Sequence, residues 1–446
     1  MFLKIVILCY FLVQTLGDEY HPRFKSHNPT KNTGEGVDFW KKEGKDELIN
    51  ALNVRSNLIE KKAKNIIIFV GDGMSLPTLT AARIYKAQKA QNFDGSVNGE
   101  ESSLFFEGFP HVGLSKTYSV DHQTPDSAAT ATALFTGVKT DSGTLGYDEM
   151  IEPENADSIE EATALNSILH FAQKAGKDTG LVTTTRVTHA TPASLYAHSA
   201  DRDWECYQHL EQVGVQDKVE DIAYQLMNNE PGTKIKVILG GGRKTMLPKQ
   251  EDPETFGIDE DYSNEYTYHC STNNRDFIEE FKTSSVGNIY VSNKTELDSI
   301  DVSQTDRLLG LFSETHVVFD HERRENLVDI VPDAPSLVDM TTKAIEMLQK
   351  NQENGFFLMV ESGRIDHAHH DSWVNLALDE TVVFDEAIKA AYDMVDLNET
   401  LIIVTADHGH TMSHAGYPTR GSDVRSKFYT FTSKSTLLID LLFSVC

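Results

Sequence analysis

Two apolar runs in this chain each end in residues that are common ligands of divalent metal ions. The run at 355–360 continues into ESGRIDHAHHD and the run at 400–404 continues into TADHGHTMSH, and these continuations hold six of the seventeen histidines in the 446-residue chain. Their candidate ligands are Glu361, Asp366, His370, Asp407 and His408. Carboxylates and imidazoles gathered where a buried strand ends converge with little rotamer freedom, as a metal site requires. The sequence therefore predicts a metalloenzyme.

The spacing of these residues indicates more than one ion. Asp366 and His370 are four residues apart, so on a helix they share a face and can hold one ion together. Asp407 and His408 are adjacent, and an irregular turn after a strand can direct both at a second ion. Asp72 lies between two glycines in GDG, where a short acid on a tight turn can bridge two ions. We expect two or three divalent metals.

A candidate nucleophile lies in DHQTPDSAATATA at 121–133. Pro125 and Asp126 suit the start of a helix, and the small residues after Ser127 leave its first amides open to an anion. On this segment alone a helix cap is the better interpretation of an acid beside a serine. Taken together with the other segments, it favours Ser127 as the nucleophile.

The order of apolar and amphipathic segments predicts an α/β fold with a central, mainly parallel sheet and helices on both faces. β-branched runs recur at 65–70, 180–185, 236–241, 356–360 and 400–404, and helical patterns lie between them at 127–135, 165–176 and 338–350. Polar residues follow four of the five runs. One acid after a strand is usually a turn or cap residue, but four such ends indicate one site at the carboxyl edge of the sheet.

The amino-acid composition limits the classes of partner that the chain can bind. With 39% hydrophobic residues it can bury a large core, and a net charge of −28 argues against nucleic acid as a specific partner, since phosphate-backbone binding depends on Lys and Arg. Small anionic substrates stay open, because a bound metal reverses the local field.

The N-terminus has the layout of a secretory signal peptide, which we assign to residues 1–17. A polar arm follows at 18–60, with an amphipathic helix predicted around 38–61. The segment at 249–275 is expected to be an irregular surface insertion. Asn293-Lys294-Thr295 and Asn398-Glu399-Thr400 are N-glycosylation sequons that agree with an extracellular route. A disulfide between Cys206 and Cys270 is an open alternative.

Six segments resemble motifs of the alkaline phosphatase family, in that family's order. They are NIIIFVGDGM, TYSVDHQTPDSAATATALFTGVK, GLVTTTRVTHATPASLYAHSADRDW, VILGGGRK, VESGRIDHAHH and TADHGHTMSHAGYPTRG. The resemblance covers residues 61–422, which we take as the catalytic domain, and leaves 423–446 as a divergent tail.

This resemblance implies zinc- and magnesium-dependent hydrolysis of phosphate monoesters, with an alkaline optimum and a homodimer. One zinc would be held by Asp72, Asp407 and His408 and the other by Asp366 and His370. The magnesium would be held by Asp72, Thr191 and Glu361. Ser127 matches the serine that is phosphorylated, and Arg202 matches the arginine that holds phosphate.

The family pattern stops after Gly421 in this sequence. The family's C-terminal part, including its lipid-anchor signal and a histidine that completes the second zinc site, has no counterpart here, and His414 is a candidate substitute. We therefore expect a shortened form that is secreted or reaches the cell surface. A catalytically weak or inert binding protein is one alternative. A phosphodiesterase or phosphomutase of the same fold is another, and the Ser127 segment and Arg202 argue against it.

Overall fold

The computed structural model describes residues 61–92, 99–249, 270–325, 333–414, 418 and 420–425, together with 41, 42, 44–46, 48, 49, 52 and 53. The described residues between 41 and 53 are helical and exposed, in agreement with the helix predicted in the arm. The predicted signal peptide at 1–17, most of the insertion at 249–275 and most of the tail at 423–446 lie outside the described residues.

A seven-stranded sheet forms the centre of the described chain. Its strands are β1 Asn65–Gly71, β2 Asp178–Arg186, β3 Val237–Gly241, β4 Asn288–Val291, β5 Arg307–Leu311, β6 Phe356–Ser362 and β7 Thr400–Ala406. The strand order is β4-β5-β3-β2-β6-β1-β7, and every neighbouring pair is parallel. The predicted α/β fold with a parallel sheet is confirmed.

The central strands are apolar because both of their faces are covered. Along β1, Ile68 and Val70 pack into the hydrophobic core on one side of the sheet, whereas Ile67 and Phe69 pack into the core on the other side. Alternate side chains of a strand point to opposite faces, so a strand that is buried on both faces reads as a continuous apolar run.

Helices cover both faces of the sheet. They are α1 Leu76–Ala90, α2 Ser127–Thr136, α3 Ile168–Lys174, α4 Ala190–Ala193, α5 Tyr207–Val213, α6 Ile222–Asn228, α7 Phe277–Ser284, α8 Lys294–Asp298, α9 Asp320–Glu325, α10 Leu337–Leu348, α11 Arg364–His370 and α12 Val374–Met394. Helices α2, α3, α6 and α7 contribute to the first core, and α10 and α12 contribute to the second. Among the described residues, no helix combines the length and the apolar character that a membrane span needs.

The five predicted strands and the three predicted helices are all present, with ends shifted by a few residues. β4 and β5, which are only four and five residues long, were not predicted from the sequence. β4 lies at one edge of the sheet and is half-exposed at two of its positions, so it lacks the continuous apolar pattern of the central strands. Cys206 and Cys270 form a disulfide, which resolves the alternative that the sequence left open.

Candidate active site

The carboxyl ends of β2, β6, β1 and β7 lie side by side and carry the predicted site. Gly71 at the end of β1 pairs with Ser362 on β6 and with Ala406 on β7, so the residues that follow these strands lie at one level. α4 begins shortly after β2 and brings a hydroxyl to the same edge. The register places four predicted residues there: Asp72, Thr191, Glu361 and Asp407.

A tight turn at Gly73 fixes the position of Asp72, which is fully buried. Gly73 has a φ of +64°, and a Cβ at this residue would lie 2.7 Å from Oδ1 of Asp366. Its N–H donates a hydrogen bond to Oδ1 of Asp407 at 3.2 Å. Because any side chain would strain this backbone and displace Asp366, the turn requires glycine.

Ser127 is the first residue of α2, and its hydroxyl lies among the predicted ligands. Its Oγ is 3.2 Å from Oδ1 and 3.1 Å from Oδ2 of Asp72, and 3.2 Å from Nε2 of His408. His408 Nε2 is also 3.3 Å from Oδ1 of Asp72 and 3.3 Å from Oδ2 of Asp407. The structure therefore brings the predicted nucleophile and the predicted first ligand set together.

The helix α11 presents Asp366 and His370 on one face, as their spacing predicted. His370 Nε2 lies 3.2 Å from Oδ2 of Asp366. Burial alone would raise the pKa of Asp366, but the hydrogen bond from His370 and the nearby imidazoles hold it below its usual range. A third group also lies here, because His410 Nε2 is 3.5 Å from Oδ1 of Asp366. His414, in contrast, has its Nε2 3.0 Å from the carbonyl oxygen of Pro77 and is exposed.

Thr191 and Glu361 provide oxygen atoms on the β2 side of Asp72, and both are fully buried. Oε2 of Glu361 accepts hydrogen bonds from the hydroxyls of Thr183 and Thr185. Oε1 of Glu361 and Oγ1 of Thr191 make no hydrogen bond of good geometry among the described residues, although the Thr191 hydroxyl is near enough to Glu361 to offset part of the rise in its pKa that burial causes. Buried oxygens of this kind are normally satisfied, so these two are ready to accept a cation.

The carboxylates at this edge of the sheet carry an excess of negative charge, which favours the binding of a cation. Burial, followed by the charges of Asp407, Asp366 and Glu361, raises the pKa of Asp72 well above its usual range. Burial also raises the pKa of Glu361 to about 7. Buried carboxylates are stabilised in their charged form by positive charge, and divalent metals supply it. Oδ1 of Asp366 is a further buried acceptor without a partner among the described residues, so the donor set fits metal ions.

Arg202 is held next to the start of α2. Its Nη1 donates to Oδ2 of Asp126 at 3.0 Å, and its Nη2 donates to Nε2 of His189 at 3.0 Å. The Asp126 carboxylate also accepts hydrogen bonds from the backbone N–H groups of Ala128 and Ala129, so it caps α2, and its Oδ1 accepts a further hydrogen bond from the N–H of Gly143 at 3.0 Å. One acid therefore links the arginine to the helix that carries Ser127.

A group of three histidines beside the site was missed as a unit by the sequence analysis. One ring nitrogen from each of His189, His316 and His367 lies within 4.8 Å of the others. Burial lowers the pKa of all three rings well below the usual value. Neighbouring arginines add to this effect, among them Arg186 for His189 and His316 and Arg364 for His367. The rings are therefore neutral and accept hydrogen bonds from guanidinium groups.

Of these three, His189 and His367 lie inside segments that the sequence analysis had singled out, VTHAT and RIDHAHH. His316 lies in SETHVV after β5, where no spacing relates it to the other two. The signal that could have found it is a polar residue that follows a strand, but β5 itself was not predicted.

The two roles of Asp126 can be separated by substitution. We expect Asp126→Ala to lower the free energy of unfolding by about 1 kcal/mol or more, because the cap of α2 is lost. Asp126→Asn should cost clearly less, since an amide oxygen in the place of Oδ1 can still accept from the Ala129 and Gly143 N–H groups. Urea unfolding of the purified variants measures both values. Equal losses in the two variants would show that the ion pair with Arg202, and not the cap, is what stabilises the fold.

The chain is similar to known proteins over most of its length. A family model described as alkaline phosphatase matches residues 63–440. A membrane-bound alkaline phosphatase of Bombyx mori is 41% identical over 420 residues, which cover 91% of this chain and 72% of that protein. The tissue-nonspecific alkaline phosphatase isozyme of Homo sapiens is 41% identical over 386 residues, which cover 86% of this chain and 70% of that protein.

Solved structures give the same result for the fold. The alkaline phosphatase of Thermus thermophilus superposes with a TM-score of 0.59 at 30% identity. The match covers 79% of this chain and 61% of the Thermus thermophilus chain. The alkaline phosphatase of the Antarctic bacterium TAB5 superposes with a TM-score of 0.56 at 25% identity, covering 78% of this chain and 80% of its own. The family match includes every site residue described above. The chain belongs to the alkaline phosphatase family.

Proposed function

We propose that this chain hydrolyses phosphate monoesters through a phosphoserine at Ser127, releasing an alcohol and inorganic phosphate, with an optimum at alkaline pH. The observation that carries this proposal is the position of the Ser127 hydroxyl, buried at the first turn of α2 within 3.2 Å of Asp72 and His408. Membership of the alkaline phosphatase family supports the same reaction.

The donor atoms support two zinc ions and one magnesium ion as cofactors. Mixed carboxylate and imidazole donors suit zinc, and they form two sets, Asp72 with Asp407 and His408, and Asp366 with His370. The oxygen donors of Asp72, Thr191 and Glu361 suit magnesium. A solved structure of a TAB5 alkaline phosphatase mutant is described as having Mg bound in its M3 site, which supports a magnesium site in this fold. When bound, such ions supply positive charge that makes a hydroxyl or water more acidic and stabilises charge on the phosphoryl group.

Ser127 acts as the nucleophile in the first of two successive displacements and as the leaving group in the second. Its hydroxyl donates to the carboxylate of Asp72, which holds the oxygen in place while the hydroxyl proton passes to solvent. In the first displacement a bond forms from Oγ to phosphorus while the bond from phosphorus to the ester oxygen breaks, and the alcohol leaves with a proton from solvent. In the second, a water oxygen bonds to phosphorus while the bond from phosphorus to Oγ breaks, and one proton of the water returns to Oγ. The product is inorganic phosphate and Ser127 is regenerated.

Arg202 binds the phosphoryl group in this proposal. A guanidinium presents parallel N–H donors that match two oxygens of a phosphate, a geometry that lysine lacks. Asp126 and His189 fix the orientation of Arg202 before substrate arrives, so less conformational entropy is lost on binding. Since these contacts involve the phosphoryl group alone, we expect a broad range of small phosphate monoesters to be accepted.

The proposed route of the chain is the secretory pathway. The signal-peptide pattern at 1–17 and the two sequons support it, as does the membrane-bound relative from Bombyx mori. An extracellular or cell-surface location and a homodimer are parts of the same proposal, and the family resemblance supports them.

The phosphoserine is the most direct test of the reaction. Ser127→Ala should reduce hydrolysis of a chromogenic phosphate monoester by on the order of 10³-fold or more, because the covalent route is lost. Incubation with radiolabelled phosphate followed by acid quenching should label the wild-type chain and not this variant. Ser299→Ala, at an exposed serine after α8, is the matched control and should behave as wild type. Labelling of Ser127→Ala would contradict the assignment.

A further inference from the structure

The ligand pair Asp366 and His370 offers too few protein atoms for a closed zinc site. Zinc in proteins takes at least three protein ligands, with a fourth position for water or substrate in catalytic sites. His370 is also largely exposed, with 69% of its side-chain surface accessible, so it is not held by packing. A third ligand is therefore needed to fix an ion at this position.

His410 lies where such a ligand is required. One ligand atom from each of Asp366, His370 and His410 lies within 4.8 Å of the others. The rings of His370 and His410 have centroids 4.7 Å apart and are nearly perpendicular, at 86°. Oδ1 of Asp366, the carboxylate oxygen nearest to His410, is the buried acceptor that lacks a hydrogen-bond partner among the described residues.

The surroundings of His410 hold its ring in this position. It stacks on the ring of His369, with centroids 5.2 Å apart and an interplanar angle of 23°. Nε2 of His369 is in turn 3.0 Å from the hydroxyl of Thr78 on α1. Only 11% of the side-chain surface of His410 is accessible, in contrast to the exposed His370. His410 is thus a preorganised donor.

The second nitrogen of His410 also has a suitable neighbour. Metal-binding imidazoles usually donate their other N–H to an acceptor, which fixes the tautomer. The hydroxyl oxygen of Thr411 lies 3.5 Å from Nδ1 of His410 and can accept this hydrogen. The backbone nitrogen of Thr411 lies 3.1 Å from the same Nδ1, and zinc at Nε2 requires the tautomer in which Nδ1 carries the proton and donates to the Thr411 hydroxyl.

We infer that His410 is the third protein ligand of the zinc ion held by Asp366 and His370. This inference rests on the proposed function, and it replaces the substitute that the sequence suggested. His414 lies only four residues further along the chain, but its Nε2 contacts the carbonyl oxygen of Pro77 on α1. The pair His410 and His414 therefore offers a test and a matched control within one loop.

The test measures zinc directly. Wild-type chain, His410→Ala, His410→Gln and His414→Ala are equilibrated at buffered free zinc concentrations, and bound zinc per chain is determined by mass spectrometry of the metal. We expect both His410 variants to bind one of the two zinc ions 10- to 100-fold more weakly, and His414→Ala to match wild type. His410→Gln keeps a side chain of similar reach, and circular dichroism reports whether each variant is folded.

Other outcomes separate this inference from the proposed function. If folded His410 variants bind two zinc ions as tightly as wild type, His410 is not a ligand, although the phosphatase proposal stands. If His414→Ala loses the ion instead, the sequence-based substitute is correct. If the wild-type chain binds no zinc, the metal assignment and the phosphatase proposal both fail.

A second inference concerns the two edges of the sheet. The sequence contains only two N-x-S/T sequons in which x is not proline, at Asn293 and Asn398. Asn293 follows β4 by two residues and Asn398 precedes β7 by two residues. Among the described residues, β4 and β7 are the edge strands. Each sequon therefore adjoins a different edge of the sheet.

Both asparagines are placed for modification. Asn398 is exposed in the turn between α12 and β7. Asn293 is half-buried and caps α8 through Oδ1, which accepts from the N–H of Glu296, while its Nδ2 donates to the hydroxyl of Ser292 at 3.4 Å. Asn398 lies at the amino end of β7, whereas the active site lies at the carboxyl ends of the strands, so a glycan there leaves the site open.

We propose that N-linked glycans at Asn293 and Asn398 shield the two edge strands from pairing with another chain. Edge strands expose unpaired backbone groups, and natural sheets protect them with charge, bulges or coverage. Beside the edge of β7, Leu401 and Ile403 share one face of the strand and are 46% and 39% exposed, so apolar surface adjoins the unpaired backbone groups there. This proposal requires passage through the secretory pathway, but it does not depend on catalysis.

The test uses chain secreted from insect cells. Peptide N-glycosidase should lower the mass of the wild-type chain by two glycans, and that of Thr295→Ala or Asn398→Gln by one. Thr295→Ser keeps the sequon and is the control. In light scattering, the double variant Thr295→Ala/Asn398→Gln should form larger oligomers at concentrations where wild type does not. Absence of glycans on the secreted chain, or identical scattering of the two proteins, would overturn the proposal.

Discussion

The burial of four carboxylates at the carboxyl edge of the parallel sheet, three at strand ends and Asp366 on α11, is the constraint on which the rest of the site depends. Asp72, Glu361, Asp366 and Asp407 are all at least nine-tenths buried. Neighbouring carboxylates in a low-dielectric environment disfavour each other's charged form, so this arrangement is costly without cations. The parallel sheet nevertheless holds the four groups in place, because the register of β6, β1 and β7 and the turn at Gly73 leave them no alternative position.

The positive groups of the site are kept apart from this carboxylate cluster. Arg202 is held by Asp126 and His189, and the neutral rings of His316 and His367 accept hydrogen bonds from other guanidinium groups. Ser127 lies between the two regions, since it contacts Asp72 and directly follows Asp126. A phosphoryl group bound there would meet guanidinium donors on one side and the metal-binding edge on the other. This division of charge is what a displacement at phosphorus requires.

Much of the fold and the site could be predicted from the sequence because both depend on local patterns. Continuous apolar runs such as NIIIFV identify strands that are buried on both faces, and the polar residues directly after them identify the site edge. Resemblance to a family then assigned roles to Ser127, Thr191 and Arg202, which spacing alone did not do. The period of an α-helix was enough to predict that Asp366 and His370, four residues apart, lie on one face.

The parts of the fold and the site that could not be predicted depend on contacts between segments that are distant in the sequence. β4 and β5 are only four and five residues long, which is too short to show a clear period, and β4 is also half-exposed at two positions. His316 joins His189 and His367 only through the fold, and the sequence contains no spacing that relates them. His410 and His414 are a similar case, since a sequence of the form HGHTMSH does not distinguish them, whereas the fold places His410 beside Asp366 and against His369 and places His414 against the carbonyl oxygen of Pro77.

Thermal unfolding of the wild-type chain and Asp72→Asn, each with and without zinc, tests the central claim most directly. If crowded carboxylates are held in place at a cost until cations bind, the metal-free variant should melt at a higher temperature than the metal-free wild-type chain. Zinc should then raise the melting temperature of the wild-type chain by more than that of the variant. A metal-free variant that melts below wild type, or an equal response of both chains to zinc, would contradict the claim that the carboxylate cluster is built for metal ions.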